Sequence, residues 1–171
     1  MTWWEALLLG LVQGLTEFIP VSSSGHLVLG QYLLGLGAEQ SDVTFEVFVH
    51  FGTVLSILTV YWDDVADLLG EAWAAITAPA TIPTRYADND TFRLGVFILI
   101  TLIPTGLVYV LFKAQLEQAF GSPRFTSAML LVTGVLLLLT LLRPDPEGDL
   151  SPLKSFVVDV GHSAAMIPGI S

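Results

Sequence analysis

The chain has 171 residues, 53% of them hydrophobic and only 13% charged, with a mean hydropathy of +0.73; a water-soluble domain carries about a quarter charged residues, so this is membrane-protein composition. Acids outnumber bases 16 to 6, and the net charge of -10 excludes the basic stripe that a nucleic-acid groove requires. Cysteine is absent, which removes disulfides, thiolate nucleophiles and zinc–thiolate centres.

The amino terminus has no basic start, and Glu5, Gln13 and Glu17 interrupt its apolar run, so it reads as the first membrane-inserting segment rather than a signal peptide. Residues 3–19 are apolar but short and are closed by Pro20; a second short apolar run follows over 27–36. Two short helices around a polar break predict a re-entrant hairpin, because irregular backbone at membrane depth is tolerated only where it lines a cavity or is buried in protein. Residues 43–62 form a candidate span with Glu46 and His50 on one face and Tyr61 and Trp62 at its interfacial end. Residues 66–78 read as an interfacial helix, and 79–90 as a loop holding two prolines.

Residues 94–112 are long enough to cross the ~30 Å hydrocarbon layer, with a kink expected at Pro104. A connection over 113–124 leads to the cleanest span, 125–142, which is free of charge and bracketed by Arg124 and Arg143. Residues 144–152 read as a second loop, on the same face as the first and opposite the 113–124 connection. Basic residues divide evenly among the connections, so charge assigns no orientation. Residues 156–171 repeat the opening theme: an apolar run with His162, then Pro168, Gly169, Ile170 and Ser171 against Pro20, Val21, Ser22 and Ser23. The whole reads as an all-α polytopic membrane bundle with a duplicated re-entrant element. The first repeat covers about 1–120 and the second begins at about 121–171. The chain reads as part of a longer protein, truncated within that second repeat.

The chemistry concentrates in QGLTEFIPVSSSGH, residues 13–26. Gln13 and Glu17 share a helix face, so amide and carboxylate converge, and their oxygens suit a hard divalent cation, Mg²⁺ or Ca²⁺. Ser22, Ser23, Ser24 and Gly25 form a hydroxyl-rich turn ahead of a helix, where free amides attract anions such as phosphate. His26 can act as general acid or base, with a neighbouring serine as nucleophile or with water attacking a bound phosphorus. Glu46, His50 and His162 are candidates for orienting this set; the three histidines have no zinc-motif spacing.

At these residues the chain resembles the bacitracin-resistance family of undecaprenyl-diphosphate phosphatases. Gln13, Glu17, Pro20, Ser22, Ser23, Gly25 and His26 match its first motif in order, FEVFVHFGTVLSIL at 45–58 resembles its next helix, and PGIS at 168–171 is similar to the start of its second motif. The resemblance implies a multi-pass enzyme of the bacterial cytoplasmic (inner) membrane, built of inverted repeats with re-entrant helix pairs. It implies removal of the terminal phosphate of undecaprenyl diphosphate on the outer face. That reaction recycles the lipid carrier of peptidoglycan synthesis and confers bacitracin resistance. It further implies a divalent cation at Glu17, Ser23 at the nucleophile position, and phosphate contacts from the serine turn and Ser171. Two departures stand out: positions 50 and 162 are histidine where glutamine is common in the family. The arginine of the second motif would follow Ser171. Beside the phosphatase stands a second reading, a polyprenyl-phosphate or small-molecule transporter, since broken helices in inverted repeats also serve transport. Membrane lipid is the expected surrounding, and a homodimer stays open.

Overall fold

The computed structural model describes residues 1–36, 43–142 and 151–171. All regular structure among them is helical, with no strand. Helix α1, Trp3–Thr16, starts at a reciprocal cap: Thr2 N–H donates to the Glu5 carboxylate at 2.6 Å and Glu5 N–H to the Thr2 hydroxyl. It ends before Pro20, because the residue ahead of a proline is pushed out of helical backbone. Helix α2, Ser23–Leu33, follows a tight turn. Glu17 meets Ser23 beside that turn, and Leu9 packs on Gly30 farther away, so α1 and α2 run antiparallel. At 14 and 11 residues they reach only roughly 21 and 17 Å, short of the hydrocarbon thickness. The expected short hairpin is therefore present.

Helix α3, Val43–Val60, turns by 90° into α4, Trp62–Thr77. Helix α4 buries no residue; Asp63, Asp67 and Glu71 lie one turn apart along one face while Trp62, Trp73 and Ile76 stay exposed, the pattern of a helix lying in the interface. The segment expected as a loop at 79–90 is helical: a 3-10 turn, Pro79–Thr81, and helix α5, Ile82–Asp88. Both prolines sit in the first turn of a helix, where no backbone donor is needed, so they start helices here instead of breaking them. Arg85 pairs with Glu71 and ties α5 to α4.

Helix α6, Asp90–Phe120, runs 31 residues and α7, Pro123–Thr140, 18; both are long and apolar enough to cross a membrane, and the bent α3–α4 pair is a third candidate. The connection expected over 113–124 shrinks to a turn, because α6 continues to Phe120. The backbone of α6 leaves helical values at Phe112, not at Pro104. Beside Pro104, Thr105 N–H and its hydroxyl donate to the Asp159 carboxylate at 2.9 to 3.1 Å. Asp159 belongs to α8, Pro152–Ser163, which is followed by the 3-10 turn Ala164–Met166. The loop expected over 144–152 lies largely outside the described residues.

Among the described residues the interior holds more polar side chains than large apolar ones. Gln13, Gln31, Thr53, Thr126, Thr133 and Asp159 are buried, whereas Leu, Ile, Val and Phe cover the outside. In lipid the outside needs no polar surface, and helices associate through small and hydrogen-bonding residues. That burial pattern carries the polar motif residues inward.

Candidate active site

The site forms where α1 ends and α2 begins. Gln13 and Glu17, one turn apart, meet as a Gln13 Nε2–H donating to Glu17 Oε2 at 2.6 Å. Ser23, the first residue of α2, donates its hydroxyl to the same oxygen at 2.5 Å. His50 of α3 brings Nε2 to 3.8 Å from it. His50 Nδ1 lies 2.7 Å from the Glu46 carbonyl; a carbonyl only accepts, so Nδ1 carries a proton. Glu46 thus orients His50 through its backbone, while its carboxyl is hydrogen-bonded by buried Gln31.

Ser22 caps α2 in an unusual conformation. Its φ of 62° is in the region that favours glycine, and three contacts hold it there. The Ser22 hydroxyl accepts from Gly25 N–H at 3.3 Å and from Gly169 N–H at 3.0 Å, and it lies 3.3 Å from the Ser24 hydroxyl. Strain of this kind persists only where the surroundings over-determine it. The Ser22 carbonyl accepts from His26 Nδ1–H at 2.8 Å, which leaves Nε2 of His26 as the free ring nitrogen. The first amides of α2, at Ser23 and Ser24, have no acceptor within the helix.

The second motif segment closes this turn from behind. A β-carbon on Gly25 would sit 2.8 Å from Gly169 Cα, and one on Gly169, whose φ is +99°, would sit 2.5 Å from the Thr126 carbonyl. Both glycines are therefore demanded by close backbone approach. Thr133 of α7 donates to the Gly169 carbonyl at 2.7 Å and accepts from Ser171 N–H at 3.1 Å.

Gln13, Glu17, Ser22, Ser23, Ser24, Gly25, His26 and His50 are thus drawn together, with Glu46 one step behind. His162 is not: it is exposed in the last turn of α8 and makes no contact with the cluster among the described residues. Ser171 is exposed and reaches the region only through its backbone. Thr126, Thr133 and Asp159 were missed by sequence reasoning, although polar residues in apolar segments were the available signal.

For a divalent cation the donor chemistry fits. Glu17 Oε1 takes no hydrogen bond among the described residues, and Gln13 Oε1 is buried without a partner, which costs about 1–3 kcal/mol unless something satisfies it. These are oxygen donors of the kind Mg²⁺ takes one or two at a time, completing its shell with phosphate and water. No cluster of three His, Asp or Glu able to hold a metal exists among the described residues.

The chain is 77% identical over all 171 residues to an undecaprenyl-diphosphatase of Salinibacter ruber, covering 63% of it. It is 38% identical to an undecaprenyl-diphosphatase of Halothermothrix orenii, with 98% of the chain and 59% of the relative aligned. A third, from Methanobrevibacter smithii, is 36% identical over 98% of the chain and 61% of the relative. The chain thus spans about three fifths of the length of these relatives. No solved structure matches it. The model of the family described as bacitracin resistance protein BacA matches residues 6–171, and the chain belongs to that family.

Proposed function

We propose that the protein carrying this chain is a membrane hydrolase that removes the terminal phosphate of undecaprenyl diphosphate. It would act in the bacterial cytoplasmic membrane with its site toward the outer face, recycling the lipid carrier of peptidoglycan synthesis. The observation that carries this reading is the Ser23 hydroxyl, which donates to Glu17 at the open N-terminus of α2. The named activity of the relatives supports the substrate.

The amides and hydroxyls of Ser23 and Ser24 would bind the terminal phosphate, as helix starts do for anions, while the buried Ser22 hydroxyl holds the turn through Gly25 and Gly169. Ser23 Oγ attacks that phosphorus, its proton passing to Glu17, and the bond to the bridging oxygen breaks. Polyprenyl phosphate leaves, its bridging oxygen protonated by His26 or solvent, and water then hydrolyses the phosphoserine to inorganic phosphate and free serine. Water attacking directly, with Ser23 only binding phosphate, is the competing route. Glu17, with the Gln13 carbonyl, would hold a Mg²⁺ or Ca²⁺ ion, which when bound supplies neutralisation of phosphate charge.

Phosphate release from undecaprenyl diphosphate, measured on the full-length purified protein with magnesium, calcium or chelator, tests the proposal. Metal-dependent release is expected. Lipid translocation without hydrolysis would replace this reading with a transporter.

A further inference from the structure

Residues 168–171 lie in no helix or strand, yet each amide they carry is bonded. Gly169 N–H donates to the Ser22 hydroxyl at 3.0 Å, Ile170 N–H to the Ile167 carbonyl at 3.0 Å, and Ser171 N–H to the Thr133 hydroxyl at 3.1 Å. Irregular backbone inside a membrane bundle needs such partners. Thr133 does more than supply one. Its hydroxyl also donates to the Gly169 carbonyl at 2.7 Å, so one oxygen grips the chain at residue 169 and again at 171. With two soft dihedrals per residue, that double grip fixes the direction in which the Ser171 side chain leaves the backbone. Glycine at 169 supplies no stiffness of its own, so the constraint comes from Thr133.

Burial alone does not demand this arrangement. Thr126 and Thr133 are the residues that α7 buries, two turns apart on one face, with Met129 and Leu130 against Gly169 between them. The Thr126 hydroxyl is buried without a hydrogen-bond partner among the described residues. The same side chain on the same face is therefore accommodated without the two bonds that Thr133 makes. The gripped segment also adjoins the site. Gly169 packs on Gly25 in the first turn of α2, and Ser171 is at most about 7 Å of chain beyond Gly169.

We propose that Thr133 is a positioning residue for phosphate binding: its hydroxyl holds residues 169–171 so that Ser171 Oγ joins the Ser23 and Ser24 amides around the terminal phosphate. The proposal rests on the phosphatase reading, and Thr133 acts in it only through Ser171. The test uses the full-length protein, with inorganic phosphate as a probe of the anion site. Thr133→Val keeps the shape and removes both bonds. It is expected to weaken inhibition by inorganic phosphate and to lower kcat/KM for undecaprenyl diphosphate, each at least ~10-fold, the scale of one hydrogen bond to a charged group. Thr133→Ser keeps the hydroxyl and should stay within about 3-fold of the parent on both measures. Thr126→Val, the same change at a hydroxyl without a partner, should stay within about 2-fold. In a Ser171→Ala background, Thr133→Val should cost no more than about 2-fold further, because the group it positions is gone. Additive losses in that double variant, equal losses in Thr133→Val and Thr126→Val, or unchanged kinetics and phosphate inhibition in Ser171→Ala overturn the assignment. Failure of Thr133→Val to fold also overturns it, and shows that Thr133 holds α7 in place. A parent that releases no phosphate from undecaprenyl diphosphate sinks the phosphatase reading itself, whereas the other outcomes, with an active parent, bear on Thr133 alone.

Discussion

Ser23 Oγ and Glu17 Oε2 lie 2.5 Å apart across the turn between two antiparallel short helices. The serine proton therefore points at a carboxylate, while His26 is turned toward the Ser22 carbonyl. Of the two candidate bases for Ser23, Glu17 is the one in contact.

Replacing Glu17 with glutamine keeps the shape and removes the base and the charge. Turnover is expected to fall at least ~100-fold, the scale of a lost acid–base group. Steady-state phosphate release at saturating metal checks this, and near-normal turnover would contradict the role. Chelation of the parent should give a comparable loss, restored by added magnesium or calcium.

A covalent route leaves a trace. Rapid quenching with labelled substrate should trap phosphate on Ser23, and Ser23→Ala should abolish it together with most activity. Measurable turnover in Ser23→Ala, with no trapped species in the parent, would establish water as the nucleophile.

Gly25 and Gly169 touch backbone to backbone, so a methyl group on Gly25 has nowhere to go. Gly25→Ala should destabilise the protein by about 1–3 kcal/mol, the usual cost of overpacking, and displace Ser22 from its strained cap. Thermal unfolding in detergent measures the first effect. Unchanged stability and activity would show that the two segments do not meet this closely.

The Asp159 carboxylate of α8 accepts from the amide and hydroxyl of Thr105, the residue after Pro104 in α6. Asp159→Ala should cost about 1–3 kcal/mol by stranding the Thr105 amide, and Asp159→Asn less. A double-mutant cycle with Thr105→Val separates the side-chain part, and additive effects there would refute a direct coupling.

The re-entrant hairpin and the α4–α5 region should open to opposite sides of the membrane. Single cysteines at positions 24 and 88 report this cleanly, because the native chain has none. Labelling of both by an impermeant thiol reagent from one side contradicts the arrangement.

The sequence by itself determined what lipid and helix periodicity dictate. Apolar, charge-free stretches had to become α6 and α7, and Gln13 and Glu17, one turn apart, had to share a face. The polar run at 13–26 had to line something, because lipid offers it no partners. Local rules misled where their context was hidden. Pro79 and Pro83 start helices rather than a loop, and α6 leaves helical backbone at Phe112 rather than at Pro104, beside which Asp159 bonds Thr105 from 54 residues away. Only the tertiary structure decided that Glu17 rather than His26 meets Ser23, that His50 joins the cluster while His162 stays outside, and that Gly169 caps the Ser22 turn. Each of these contacts depends on how helices distant in sequence approach and rotate about each other. That geometry is set by small residues and buried hydrogen bonds between helices, which no single segment encodes.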